Sequence, residues 1–160
     1  MIARICTLGA IALAIAATPL MMGSPKADSD VWQKSDLQRM EGKLSHELDQ
    51  EKSASETLGE YGNHHVEVAH REATGGAEMH QTQNDVFFIL SGEATLVQGG
   101  KLVDSKLTEP HEFEAKSIQG GTRTKLVTGD VVHIPFKVPH QLVLEKGKQI
   151  TYFVVKINAQ

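Results

Sequence analysis

The sequence has little cysteine, no excess of positive charge and almost no long apolar runs. Cys6 is the only cysteine in 160 residues, which excludes a disulfide framework and a thiolate metal cluster. Lys and Arg total 16 against 20 Asp and Glu, so the net charge of −4 argues against a nucleic-acid partner bound through its phosphates. An apolar fraction of 40 % with 22 % charged residues is typical of one globular domain.

The only long apolar run lies at the N-terminus. Arg4 precedes the run 5–17, the pair Thr18-Pro19 interrupts it, and small residues follow. This order is typical of a secretory signal, and the run is short for a membrane span. We therefore predict a signal peptide over 1–23 and a chain exported to the periplasm or the extracellular space, with no membrane contact after cleavage. An uncleaved anchor is the alternative. Cleavage would remove Cys6, which suits an oxidising compartment.

Residues 24–60 are predicted to form a polar linker and an N-terminal helix. Apolar residues recur at roughly helical spacing, which predicts an amphipathic helix over 36–52. Ser35-x-x-Gln38 is a plausible capping box at its start, and Ser53-x-x-Glu56 could open a second helical turn. The apolar stripe of this helix consists of Val31, Leu37, Met40, Leu44 and Leu48.

The remaining residues, 61–160, have the pattern of short strands separated by Gly, Pro and charged turns. Ser91-Gly92 is expected to end the strand 86–90, and Gly99-Gly100 is a hairpin-turn signal after the strand 94–97. Many short strands without intervening helices predict an all-β sandwich or barrel.

Potential metal ligands are concentrated in the segment 75–92. Glu78 and His80 are separated by one residue, so on a strand their side chains point to the same face, about 7 Å apart. Two such side chains can bind one ion. Asp85 begins the next predicted strand, which can bring its carboxylate back to the same point.

A second segment, 129–140, combines a Gly129-Asp130 turn, a short strand, a rigid loop and a histidine. The loop runs from Pro135 to Pro139, and His140 opens the strand after it. Phe136 lies in this loop and is more typical of core packing than of a ligand site.

Together the two segments resemble the motifs of the cupin superfamily over roughly residues 62–157. In the first cupin motif a His-x-His pair precedes a glutamate and a glycine. Here Glu78 and His80 occupy the histidine positions, Asp85 the glutamate position, and Gly92 the glycine position. One histidine is thus replaced, and the acid is shorter by one methylene.

The second cupin motif matches more fully. Gly129, Pro135 and His140 are in register with its glycine, proline and histidine. Lys137 stands where the motif has a second glycine, and Leu144 stands where it has asparagine.

The resemblance implies a jelly-roll barrel with a pocket at one end and a metal ion held by Glu78, His80, Asp85 and His140. Two imidazoles and two carboxylates suit a divalent Fe, Mn, Ni or Zn ion, and leave its charge neutralised. A small-molecule ligand and a homodimer are further expectations. The function expected first is that of an exported metal-binding protein with a small-molecule pocket, which could act as a metal-dependent oxygenase, isomerase or lyase. The alternatives are a non-catalytic module for a sugar, a small acid or a metal, and a metal-free interaction protein.

Expectations are also made for four further residues. His70 is expected on the surface of its strand, although it could face the pocket. Arg71 could bind a carboxylate substrate, but a surface ion pair with Glu67 or Glu72 is the expectation. His111 and Glu112 are set aside as a metal pair, because adjacent strand residues point to opposite faces.

Overall fold

The computed structural model describes residues 29–159, so the predicted signal peptide at 1–23 lies outside the described residues. Within residues 29–159, one helix precedes twelve strands. Helix α1 covers Lys34–Leu44, and the strands are β1 Ser53–Glu60, β2 His64–Arg71, β3 Ala77–His80, β4 Gln83–Gln98, β5 Lys101–Val103, β6 Lys106–Glu109, β7 Glu112–Ala115, β8 Ser117–Gln119, β9 Thr122–Val127, β10 Val131–Ile134, β11 His140–Val143 and β12 Ile150–Asn158. No helix within 29–159 is long and apolar enough to cross a membrane.

All strand pairs are antiparallel, and ten of the twelve strands form two sheets joined by the long strand β4. The front sheet contains β1, β2, β12, the first half of β4, and β10. The back sheet contains β6, β7, β3, β11, the second half of β4, and β9. Strands β5 and β8 form a separate pair. The result is the expected mostly β, jelly-roll architecture, in which two curled sheets enclose one core.

The core lies between the two sheets and is built by alternate residues of their strands. Phe87 and Ile89 enter it from the first half of β4, and Leu96 from the second half. Leu142 and Val154 enter from β11 and β12. The strand residues 86–90 are thus buried on one face only, since Phe88 is 41 % exposed.

Strand β4 continues through Ser91-Gly92 without interruption, so the prediction that this pair ends the strand is wrong. Gly92 has a φ of 77° and pairs with Ile150 in the front sheet, whereas Glu93 already pairs with Val127 in the back sheet. A Cβ atom at Gly92 would lie 2.0 Å from the carbonyl oxygen of Gln149. Glycine here lets one strand bend from one sheet into the other, and does not terminate it.

The prediction of a hairpin at Gly99-Gly100 is also wrong, because the strands before and after this turn do not pair with each other. Both glycines have a φ of 74°, as a tight turn requires, but β5 pairs with β8 and not with β4. The second half of β4 has β11 and β9 as its neighbours instead. Because both its edges are occupied, the chain after the turn has to pair elsewhere.

The N-terminal helix is shorter than predicted. It ends at Leu44 instead of residue 52, because Ser45 donates a hydrogen bond to the Gly42 carbonyl and the chain then turns at Asp49. The Asp49 carboxylate accepts the backbone N–H groups of Glu51 and Ser53, at 2.8 and 2.9 Å, and so directs the chain into β1.

Two further details of this segment differ from the prediction. The N-terminus of the helix is closed by the Asp36 carboxylate, which accepts the N–H of Gln33, and not by Ser35 and Gln38. Ser53–Glu60 is a strand and not a helical turn, so the front sheet begins before the predicted boundary at residue 61. The helix packs against β1 and β2, where Lys43 and Glu56 form an ion pair of 2.9 Å.

Candidate metal centre

Three strands bring the four predicted ligands to one end of the barrel. Glu78 and His80 lie on β3, Asp85 lies on β4, and His140 is the first residue of β11. Strands β3 and β11 pair so that His140 is directly opposite Glu78. This register brings the candidate ligands of the segments 75–92 and 129–140 next to each other.

The donor atoms of Glu78, His80 and His140 all lie within 4.8 Å of one another. Asp85 contacts both imidazoles, with its Oδ2 atom 3.1 Å from His80 Nε2 and 3.5 Å from His140 Nε2. Oε1 of Glu78 is also 3.5 Å from His140 Nε2. Asp85 and His140 are each 1 % exposed, whereas the Glu78 side chain is 37 % exposed and opens the site towards solvent.

Each imidazole is held by a contact at its outer nitrogen. Nδ1 of His140 lies 3.1 Å from the carbonyl oxygen of Val138, and Nδ1 of His80 contacts the Glu112 carboxylate. A ring whose Nδ1 donates a proton to an oxygen presents the lone pair of Nε2. Both rings therefore direct Nε2 to the same centre, as metal-binding histidines do.

Charge within the site keeps both carboxylates ionised. Burial raises the pKa of Glu78, but His140, Lys156 and His80 more than compensate and lower it to about 2. Burial likewise opposes ionisation of Asp85, yet the adjacent imidazoles of His140 and His80 and the ammonium of Lys156 hold the pKa of that carboxyl well below its usual range. Ionised carboxylates are the form that binds a metal cation.

The pKa of His140 is shifted in the opposite direction, upwards. Burial disfavours its protonated form, but the nearby carboxylates of Asp85 and Glu78 raise the pKa of His140 to about 9. The surrounding negative charge therefore favours a cation at this point, which is either the proton on the imidazole or a metal ion in its place.

The residues present fit a transition metal ion. Nε2 of His140 is buried and has no hydrogen bond of acceptable geometry within residues 29–159, although two carboxylates lie 3.5 Å away. Buried polar atoms are rarely left unsatisfied, and one that is needs an explanation such as an ion. Imidazole and carboxylate donors together suit Fe, Mn, Ni or Zn. Glu78, His80 and His140 thus form a site able to hold a metal.

Lys156 on β12 was not predicted and lies directly against the candidate ligands. Its Nζ atom is 3.2 Å from His80 Nε2 and 3.4 Å from Asp85 Oδ1. The sequence signal was present, because Tyr152, Val154 and Lys156 alternate along one strand face that includes two core residues.

A cavity of about 190 Å³ adjoins the centre on the side of the front sheet. Glu78 and Lys156 line it, together with Glu67, Arg71 and Tyr152. The prediction that Arg71 forms a surface ion pair with Glu67 or Glu72 is wrong, because no carboxylate of residues 29–159 lies within 4 Å of its guanidinium. Its Nε atom donates to the hydroxyl of Tyr152 at 3.3 Å instead.

The structure also tests the predictions made for His70 and for the pair His111 and Glu112. The surface position expected for His70 is wrong: the residue is 2 % exposed and its Nδ1 atom lies 2.8 Å from Thr151 Oγ1. Its strand β2 lies between β1 and β12, so both of its edges are covered. His111 and Glu112 do point in different directions, since His111 contacts Gln81 while Glu112 contacts His80. Their adjacency excludes them as a metal pair, but it does not keep Glu112 alone from reaching the site.

Solved structures share this architecture. A protein with a double-stranded β-helix domain from Klebsiella pneumoniae aligns with a TM-score of 0.54 and 14 % identity, over 83 % of this chain and 99 % of that one. The chain thus has the cupin, or double-stranded β-helix, fold. No protein-family model matches the sequence, and no curated protein does so.

Two enzymes are also similar over part of their length. A sugar phosphate isomerase of the cupin superfamily from Silicibacter pomeroyi aligns with a TM-score of 0.48 and 18 % identity, over 66 % of this chain and 59 % of that one. The DMSP lyase DddQ from Ruegeria pomeroyi aligns with a TM-score of 0.48 and 19 % identity. The alignment covers 66 % of this chain and 47 % of the lyase, so this chain spans about half of that protein.

Proposed function

We propose that this chain is an exported, metal-binding cupin whose ion is held by Glu78, His80, Asp85 and His140. The observation that carries the proposal is the buried Nε2 atom of His140, which faces two carboxylates at 3.5 Å and has no hydrogen-bond partner among the described residues. Two carboxylates neutralise the charge of a divalent ion, and two imidazoles fit Fe, Mn, Ni or Zn.

Metal analysis of the untagged protein tests this proposal. We expect one Fe, Mn, Ni or Zn ion per chain, either as purified or after dialysis against each metal in turn. Binding should also raise the midpoint of thermal unfolding, because an ion that binds only the folded chain stabilises it. A metal content far below one per chain that no reconstitution increases would contradict the proposal.

We further propose that the adjoining cavity takes a small ligand bearing a carboxylate. Arg71 lines this cavity and has no carboxylate partner in the part of the chain that the structure describes, so most of its N–H donors remain available. A guanidinium binds a carboxylate through two parallel hydrogen bonds, which also fixes the orientation of the ligand. Tyr152 supports the guanidinium from β12 at 3.3 Å.

Small monocarboxylates test the ligand class. We expect propionate and lactate to raise the thermal midpoint of the metal-loaded protein in a saturable way, and neutral lactamide to leave it unchanged. Arg71→Gln should remove the effect, because it deletes the charged donors. Arg123→Gln, on the exposed face of β9, is the matched control and should retain it. Equal responses to lactate and lactamide would exclude a carboxylate site.

An enzyme and a binding module differ in the fate of the bound ligand. A bound metal would supply Lewis acidity next to the cavity, as an oxygenase, isomerase or lyase requires. A non-catalytic small-acid module is the second candidate, because the Arg71 guanidinium in the cavity can hold a carboxylate whether or not the ligand reacts. Turnover of the bound acid by the metal-loaded protein would identify an enzyme, whereas saturable binding without turnover would identify the module.

A further inference from the structure

The ammonium of Lys156 contacts the same atoms that a metal ion would use. Its Nζ atom lies 3.2 Å from Nε2 of His80 and 3.4 and 3.5 Å from the two oxygens of Asp85. The Lys156 side chain is only 17 % exposed, so it is fixed by these contacts and not spread through solvent. Lys156 is therefore already a cation bound at the candidate metal centre.

An ammonium and a metal ion cannot both use these atoms. The Nε2 atom of a neutral His80 has one lone pair, which either accepts a hydrogen bond from Lys156 or binds a metal. At the Asp85 carboxylate, whose oxygens have several lone pairs, the two cations compete for space and for the same negative charge. A divalent ion and an ammonium held a few ångströms apart at a largely buried site also repel each other strongly.

The fold offers Lys156 a second position. The cavity of about 190 Å³ is lined by Lys156 itself and by the Glu67 carboxylate, which lies on the neighbouring strand β2. The four-carbon side chain of lysine is flexible, so rotation about its bonds can move the ammonium from the metal centre into this cavity without a change in the backbone. Glu67 would then supply the opposite charge.

We propose that Lys156 is an internal cation that competes with the metal ion for His80 and Asp85, and so sets the metal affinity of the site. Metal entry requires the ammonium to leave these two ligands and move into the cavity. This inference rests on the proposed metal-binding function, and it identifies the residue that tunes that function.

The test is metal affinity in Lys156→Met, measured by competition with a chromophoric chelator for Zn²⁺ and Mn²⁺. Methionine keeps the length and apolar volume of the stem and removes the charge. We expect the variant to bind at least about tenfold more tightly than the wild type, since relief of 1.4 kcal/mol of competition corresponds to tenfold. Lys101→Met on the separate β5–β8 pair removes the same charge at an exposed position and should leave the affinity unchanged.

The four outcomes separate this inference from the function on which it rests. Tighter binding by Lys156→Met alone supports the inference. Binding by Lys156→Met without binding by the wild type also supports it, while overturning metal binding by the natural chain. Equal affinities within about twofold would overturn the inference and leave the metal site intact. No binding by either protein would overturn both.

A labelling measurement on the wild type provides a test that needs no variant. The rate at which acetic anhydride modifies Lys156, followed by peptide mass spectrometry, should rise severalfold when Zn²⁺ is added. Displacement from His80 and Asp85 exposes the amine to the cavity, which is open to solvent. An unchanged rate at Lys156 in metal-loaded protein, with Lys101 as the internal reference, would contradict displacement even if Lys156→Met failed to fold.

Discussion

Replacing His140 with glutamine is expected to weaken binding of a divalent transition metal by more than about a hundredfold, beyond the range that loss of an outer-shell contact produces. His140 supplies the buried Nε2 atom on which the two carboxylates converge. Glutamine has a similar reach and keeps polar atoms in the pocket, but its amide is a weak ligand for metals that imidazole binds well. Affinity is measured by chelator competition near neutral pH.

His133→Gln is the matched control for this change. His133 lies on β10 with an exposed side chain, which forms no ion pair or hydrogen bond with another residue of 29–159. The control should bind metal like the wild type, and both variants should retain the circular dichroism spectrum of a β protein. A His140→Gln variant that is folded and binds with wild-type affinity would show that the ion, if one is bound, lies elsewhere.

The second large effect is expected from Gly92→Ala, which should lower the free energy of unfolding by about 3 kcal/mol or more. A non-glycine residue is strained at the φ of 77° found here, and the new Cβ atom would also lie 2.0 Å from the Gln149 carbonyl oxygen. Relief requires β4 and β12 to separate at the bend that joins the two sheets. Urea denaturation measures the loss.

Gly62→Ala distinguishes strain from collision. Gly62 has nearly the same φ, 79°, but a Cβ atom there would have no neighbour within 4 Å. The free energy of unfolding of Gly62→Ala should therefore fall only by the conformational cost of about 1–2 kcal/mol. If both variants lose the same stability, the collision with Gln149 does not contribute, and the close approach of the two strands at Gly92 is not what requires a glycine.

The behaviour of Gly92 also explains where sequence reasoning about the fold reached its limit. Strand periodicity placed Glu78 and His80 on one face of the same strand, because side chains along a strand alternate between its two faces. It could not distinguish a glycine that ends a strand from one that bends it. The two cases have the same local sequence, and only the partner strand, β12, decides between them.

The candidate site was predicted to the extent that its residues follow short local patterns. Glu78 and His80 share a strand face, and His140 comes after a rigid loop, so each could be recognised within its own segment. Glu112 and Lys156 have no such pattern. They reach the site through the pairing of β7 with β3 and of β12 with β4, which are contacts between distant parts of the chain.

Lys137 stands where the cupin motif has glycine, and its φ of 63° shows that the chain still adopts the left-handed turn there. The backbone N–H of Lys137 donates to the carbonyl oxygen of His80 at 2.7 Å, so the loop before His140 is fastened to the strand that carries the other imidazole. An extended, unfolded chain has no such link. At the proposed metal site, the capacity to retain an ion therefore arises only when the barrel closes, because a partly folded chain does not hold the two imidazoles together.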